Sequence, residues 1–142
     1  MPTERGSMAA GLDMYVMAVD GAARAQDEDR LSQYLSDAEE SAEHANHTLY
    51  KAVVRRARGV AHRLAGEWDE AADQLAAAAD KFRALDTPWQ IGRTLLELGE
   101  VERSRENIEL ARGHYLEALT AFEGLGAAPD SERARTAMES LS

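Results

Sequence analysis

Apolar residues recur along this chain at helical spacing. Ala71, Leu75, Ala78 and Phe82 share one helix face, and Ala111, Tyr115, Ala118 and Phe122 share another. Alternating β-branched patterns, the mark of strands, are absent. Alanine is abundant, and leucine, glutamate, arginine and glutamine fill much of the rest, all strong helix formers. Prolines stand only at positions 2, 88 and 129, so long segments run unbroken. Helix boundaries carry their own signals. Thr87-Pro88-Trp89-Gln90 combines a capping residue, a proline at the first helical position and a glutamine three residues after the cap. Gly66 takes a positive φ and closes the helix before it. Glu67 and Asp69 follow in the first turn of the next helix, where carboxylates suit the helix dipole. Gly124 and Gly126 end another helix, Pro129-Asp130-Ser131 opens a last one, and Asp27, Glu28 and Asp29 open an earlier one. The pattern predicts seven helices, over residues 8–24, 27–46, 49–65, 67–85, 88–104, 106–124 and 130–141. Short connections make successive helices antiparallel.

A shift of 40 residues superimposes the chain on itself. Gly59 meets Gly99, Arg63 meets Arg103, Ala71 meets Ala111, Ala78 meets Ala118, Phe82 meets Phe122 and Leu85 meets Leu125. Shifted backwards, the same columns hold Val19, Leu31, Ala38, Ala42 and Ala45, a weaker first unit. Each unit is a helix, a tight turn and a second helix. Gly59 and Gly99 let paired helices approach closely, the alanines are small where the next helix crosses, and Leu75 and Tyr115 fill the wider gap between them. A single hairpin cannot bury both faces, so neighbours stack into a solenoid. Ala134 and Met138, spaced i, i+4, make Ser131 to Leu141 a capping helix.

These columns resemble the tetratricopeptide repeat. The resemblance is carried by Gly59, Gly66, Trp68, Ala71, Leu75 and Ala78 in the second unit and by Leu95, Leu98, Gly99, Ala111, Tyr115, Ala118 and Leu119 in the third. Pro88 and Pro129 lie in the inter-repeat turns. Arg-Thr-Leu-Leu-Glu-Leu-Gly-Glu over 93–100 and Phe-Glu-Gly-Leu-Gly-Ala over 122–127 look like a long subtype with units of about 40 residues. That subtype occurs in the C-terminal regions of bacterial transcriptional regulators and signalling ATPases. The resemblance implies one all-α domain, a right-handed solenoid of three hairpins over residues 12–50, 51–90 and 91–129 with a cap over 130–141. It also implies a scaffold for a protein or peptide, without catalysis or cofactor, that stands alone as an adaptor or is a fragment of a larger regulator. Arg55 and Arg58 depart from the family, which places apolar residues there.

Composition narrows the partners. The 142 residues suit one domain and carry a formal net charge of −10, which disfavours nucleic acid, whose phosphates need a positive field. No apolar stretch is long enough for a membrane span, and the N-terminus lacks the apolar run of a signal peptide. Without cysteine there are no disulfides or thiol nucleophiles, and a cytoplasmic protein is expected. Among the four histidines, Glu40, His44 and His47 share a helix face at a spacing that suits zinc, but an exposed helix end is the commoner meaning, and no metal is expected. No phosphate loop, HExxH or Gly-x-Ser-x-Gly motif is present.

Charge placement says more than charge total. Residues 27–43 carry seven acids against Arg30, whereas residues 51–63 carry Lys51, Arg55, Arg56, Arg58 and Arg63 with no acid. In the packing the resemblance implies, first helices line a concave groove. That register points Arg56, Arg63, Arg93 and Arg103 inward, with Val60 and Leu96 as apolar floor and Arg24 and Arg133 towards the ends. Arginine forks recognise carboxylates or phosphates, so the expected ligand is a short acidic-hydrophobic peptide. The competing reading is structural: the basic helix pairs its charges with acidic neighbours. Trp68 is expected to close its hairpin in the core and Trp89 to be half exposed. Met8, Met14 and Met17, with Leu12, Tyr15, Val16 and Val19, make the first helix a candidate homodimer face. A self-associating module and a ligand-sensor domain are the alternatives to a scaffold.

Overall fold

The computed structural model describes the backbone of residues 2–141 and the side chains of residues 11–141. Among the described residues there are seven helices and no strand: α1 (Pro2–Arg24), α2 (Glu28–Ala45), α3 (Thr48–Leu64), α4 (Trp68–Ala84), α5 (Pro88–Ser104), α6 (Ile108–Gly124) and α7 (Ala128–Glu139). α1 begins earlier than the apolar pattern indicates, and α7 two residues earlier. Each helix packs chiefly on its neighbours in the chain, and α1 also packs on α3 and α3 on α5.

The turns follow one rule, repeated every 20 residues. Positive φ falls at Gln26, Asn46, Gly66, Asp86, Glu106 and Gly126. The N–H of the following residue donates to a carbonyl five residues back: Asp27 to Ala22 at 2.9 Å, Glu67 to His62 at 2.8 Å, and Asn107 to Glu102 at 2.8 Å. His47, Thr87 and Ala127 do the same. This is the left-handed helix terminator that satisfies orphan carbonyls. Only two of its six sites hold glycine. Thr87 does not cap α5 with its side chain; its hydroxyl donates backwards to the Phe82 carbonyl at 3.1 Å, and the helix starts on Pro88.

The columns of the 40-residue shift are the core. Ala71, Leu75, Ala78 and Phe82 are fully buried, as are Ala111, Tyr115, Ala118 and Phe122. A Cβ on Gly59 would stand 2.6 Å from Leu75 Cγ, and one on Gly99 would collide with the Tyr115 ring, so both hairpins need glycine at the crossing. The first unit supplies Leu31, Leu35, Ala38 and Ala42 to the same layer. Ser131 and Ala134 of α7 are buried against the far end. The expected dimer face on α1 is largely spent inside the chain: Val16 and Val19 are buried, Leu12 and Tyr15 pack on the core, and only Met14 and Met17 are well exposed. Met8 lies outside the described side chains. Trp68 is 39% exposed rather than sealed in its hairpin. It opens α4 at the first helical position, outside the stripe that begins at Ala71.

Candidate functional site

A groove of about 760 Å³ opens between the C-terminal end of α1 and helices α3, α5 and α7. Arg24 stands on one wall and Arg133 on the other, both exposed, with Arg63, Arg93, Leu96, Glu97 and Glu100 between them. Four arginines therefore face two glutamates across the lining.

Below the groove lies a buried charge cluster. Asp20 of α1 accepts from Arg56 of α3 at 3.1 Å and from Arg93 of α5 at 3.0 Å. The Arg56 side chain is 1% exposed and the Arg93 side chain 7%. Arg56 also donates to the Gln90 side-chain oxygen at 2.7 Å, and its guanidinium lies 5.0 Å from the Phe82 ring centroid. Burial, with repulsion from Arg93, draws the Arg56 guanidinium down to about 10, against the attraction of Asp20 and Glu97; it remains a cation at neutral pH. Burial alone raises the Asp20 carboxyl, but the hydrogen bonds and charges of Arg93 and Arg56 outweigh it and hold the group below the ordinary carboxylate value. One carboxylate thus ties three helices through two guanidiniums.

The remaining arginines divide. Arg63 donates to the Gln26 side chain and reaches Glu97 at 3.5 Å. Burial, with repulsion from Glu100, raises the Glu97 carboxyl despite Arg63, Arg56 and Arg93. Arg103 lies beyond the lining, donating to Glu100 at 2.9 Å and Ser140 at 3.3 Å. Glu100 also accepts from the Tyr115 hydroxyl at 2.9 Å, and burial, reinforced by Glu100, raises that phenol. Trp89 sits between Arg93 at 5.2 Å and Arg24 at 5.9 Å from its ring centroid, and its indole N–H donates to Asp130 at 3.0 Å. It is half buried.

Of the six residues the register points inward, the groove takes Arg63, Arg93 and Leu96. Val60 is fully buried and offers a ligand no surface. Arg56 is sealed beneath Asp20 and Gln90, so its charge is structural. Arg103 faces the α7 terminus. The structural pairing weighed from the sequence is real in part: Lys51 and Arg58 pair with Glu43 and Glu39 of α2, whereas Arg56 and Arg63 take their acids from α1 and α5. Sequence reasoning missed Asp20, Gln90 and Gln26. Asp20 had a signal: it is the lone acid between Asp13 and Asp27, set among Val16, Val19, Ala22 and Ala23.

Comparison with protein families finds no family model that matches, and no curated protein matches the chain either. Among the described residues, no group of three histidine, cysteine or acidic side chains is placed to hold a metal. His47 is engaged otherwise, its Nδ1 accepting the Tyr50 N–H at 3.3 Å as the cap of α3. No helix among the described residues is long and apolar enough to cross a membrane.

Proposed function

We propose that the chain is a tetratricopeptide-like right-handed solenoid, three hairpins and a capping helix, that serves as a cytoplasmic scaffold holding a short acidic-apolar peptide in the groove between its odd-numbered helices. The observation that carries this reading is the lining: exposed Arg24 and Arg133 on opposite walls, with Leu96 between them. Arg24 has no ion-pair partner among the described residues, and Arg133 has only Asp130 at 3.5 Å, a pairing that is weak when exposed. The carboxylates of a ligand gain charge-assisted hydrogen bonds there, and its apolar side chains gain contact with Leu96 and Ala137. Glu97 and Glu100 limit the charge such a ligand can bring, which favours a mixed peptide over a polyanion.

The test is amide-shift mapping with short peptides built from glutamate and leucine. Saturable shifts at Arg24, Gln26, Leu96 and Arg133, weakening as salt rises, support the reading. An undisturbed groove at saturating peptide contradicts it.

A further inference from the structure

The repeat is its own control, and one place breaks it. At the 40-residue shift, Ala42 stands where Phe82 and Phe122 stand. Lys51, Arg55 and Arg58 stand where Ile91, Leu95 and Leu98 stand. In the later unit these positions fill space: Phe82 is fully buried, and Leu95 and Leu98 are 1% and 7% exposed. In the earlier unit a ring has become a methyl group and three aliphatic positions have become cations. A cleft of about 530 Å³ results between α2, α3 and α4, within the size range of small-molecule sites. It shares no residue with the groove above and lies on the even-helix side.

The cleft is electrostatically unfinished. Glu39 is engaged by Arg58, whose Nε donates at 3.1 Å, and Glu43 by Lys51 at 3.5 Å. Arg55 of α3 and Lys81 of α4 remain, both exposed to the cleft and, among the described residues, without an ion-pair partner. A chain with net charge −10 has acids to spare, yet α3 carries none in its first turn. Thr48 opens α3 at the rim; His47 caps the Tyr50 N–H there, and the positive end of the helix dipole still favours an anion. Ala42, Ala52 and Val54, each at most 2% exposed, close the base of the cleft.

From this convergence we infer that the α2–α3–α4 cleft binds a phosphoryl dianion, free or as the monoester of a small molecule. A lone carboxylate brings one charge and is satisfied by one arginine. A guanidinium and an ammonium from two helices, with a helix N-terminus beside them, match a group with three oxygens and nearly two charges. The open volume of about 530 Å³ leaves room for the organic part of an ester.

The experiment is an amide-shift titration of the whole chain at constant ionic strength with phenyl phosphate, inorganic phosphate and benzoate. Saturable shifts at Thr48, Arg55 and Lys81, with phenyl phosphate tighter than benzoate, are expected. Equal affinity for both phosphate probes identifies the free ion as ligand, and tighter phenyl phosphate identifies an ester; both support the site. Arg55→Leu, which installs the residue of the later unit, should weaken binding by about tenfold or more, the size of one charge-assisted hydrogen bond. Ala42→Phe should refill the cleft and abolish binding with helical content intact. If that variant does not fold, Arg55→Leu combined with Lys81→Leu carries the same test on the surface. Absence of saturable shifts, shifts confined to Arg24 and Arg133, or undiminished affinity in Arg55→Leu overturns the inference, and none of these bears on peptide binding in the other groove.

Discussion

Replacing Asp20 by asparagine keeps the shape of the buried cluster and removes its only carboxylate. Arg56 and Arg93, 1% and 7% exposed in their side chains, then have only neutral oxygens in hydrogen-bond contact, with the charge of Glu97 acting from farther off. Removing one partner of a buried pair costs about 3–5 kcal/mol. The Asp20 side chain is 24% exposed, so water reaches the vacated position and the lower end, about 3 kcal/mol, applies. For 142 residues, an unfolding entropy near 2.1 cal/mol/K per residue turns this into a melting point about 10 °C lower. Arg56→Met removes the cation most in need of Asp20 and leaves the Asp20–Arg93 pair, so it should cost within about 1 kcal/mol. The double variant should recover much of the Asp20→Asn loss, since only one guanidinium is left unpaired. Acid gives a second handle. The Asp20 carboxyl lies below its unfolded value. Its contribution is therefore present above about pH 4 and is lost as pH falls through the folded value. Asp20→Asn lacks that segment of the acid limb. Thermal and urea melts followed by circular dichroism at pH 7 and pH 3 measure all of this. A loss below about 1 kcal/mol in Asp20→Asn, or a double variant no more stable than Asp20→Asn, refutes the clamp.

Three further outcomes follow from particular contacts. Gly99→Ala should cost about 1–3 kcal/mol because its Cβ meets the Tyr115 ring; Gly113→Ala, with nothing within 4 Å, should gain about 0.5–1 kcal/mol, and equal melting points for the two would contradict the crossing geometry. Glu106 holds φ at 66° without a glycine's freedom, so Glu106→Gly should raise stability by about 1 kcal/mol, about 3 °C in melting point; a decrease would show that the terminator does not strain it. The Glu97 carboxyl is raised in the fold, so its contribution is lost as pH rises through the folded value. Glu97→Gln should accordingly stabilise the chain more at pH 7 than at pH 4, and a lower melting point at pH 7 would mean that the pair with Arg63 outweighs burial.

Much of the fold is legible in the residue pattern, and its gaps have physical causes. Helix existence, the small-residue crossings at Gly59 and Gly99 and the buried alanine columns all follow from spacing. The regularity of the turns does not, because Gln26 and Glu106 occupy the left-handed position with residues that advertise nothing in sequence, and Asn46 and Asp86 only tolerate it more readily. The side of α3 that lines the groove is likewise hidden. Val60 and Arg56 share the apparent inward face with Arg63, but Val60 is fully buried, Asp20 of α1 and Gln90 of α5 seal Arg56, and Arg63 reaches the groove. A periodic pattern assigns residues to a helix face, whereas burial on that face depends on which helix crosses it. Trp68 errs for the same reason, since the repeat column fixes its place in the turn but its neighbours leave it 39% exposed.

The claim that the odd-helix groove holds an acidic-apolar peptide is tested most directly by charge reversal at its two walls. Fluorescence anisotropy with a labelled glutamate–leucine peptide compares the wild type with the Arg24→Glu/Arg133→Glu variant. Both positions are exposed, so helical content should not change. Loss of saturable binding in the variant, alongside salt-sensitive binding in the wild type, is the predicted result. Equal affinity in the two proteins, or no binding by either, contradicts it.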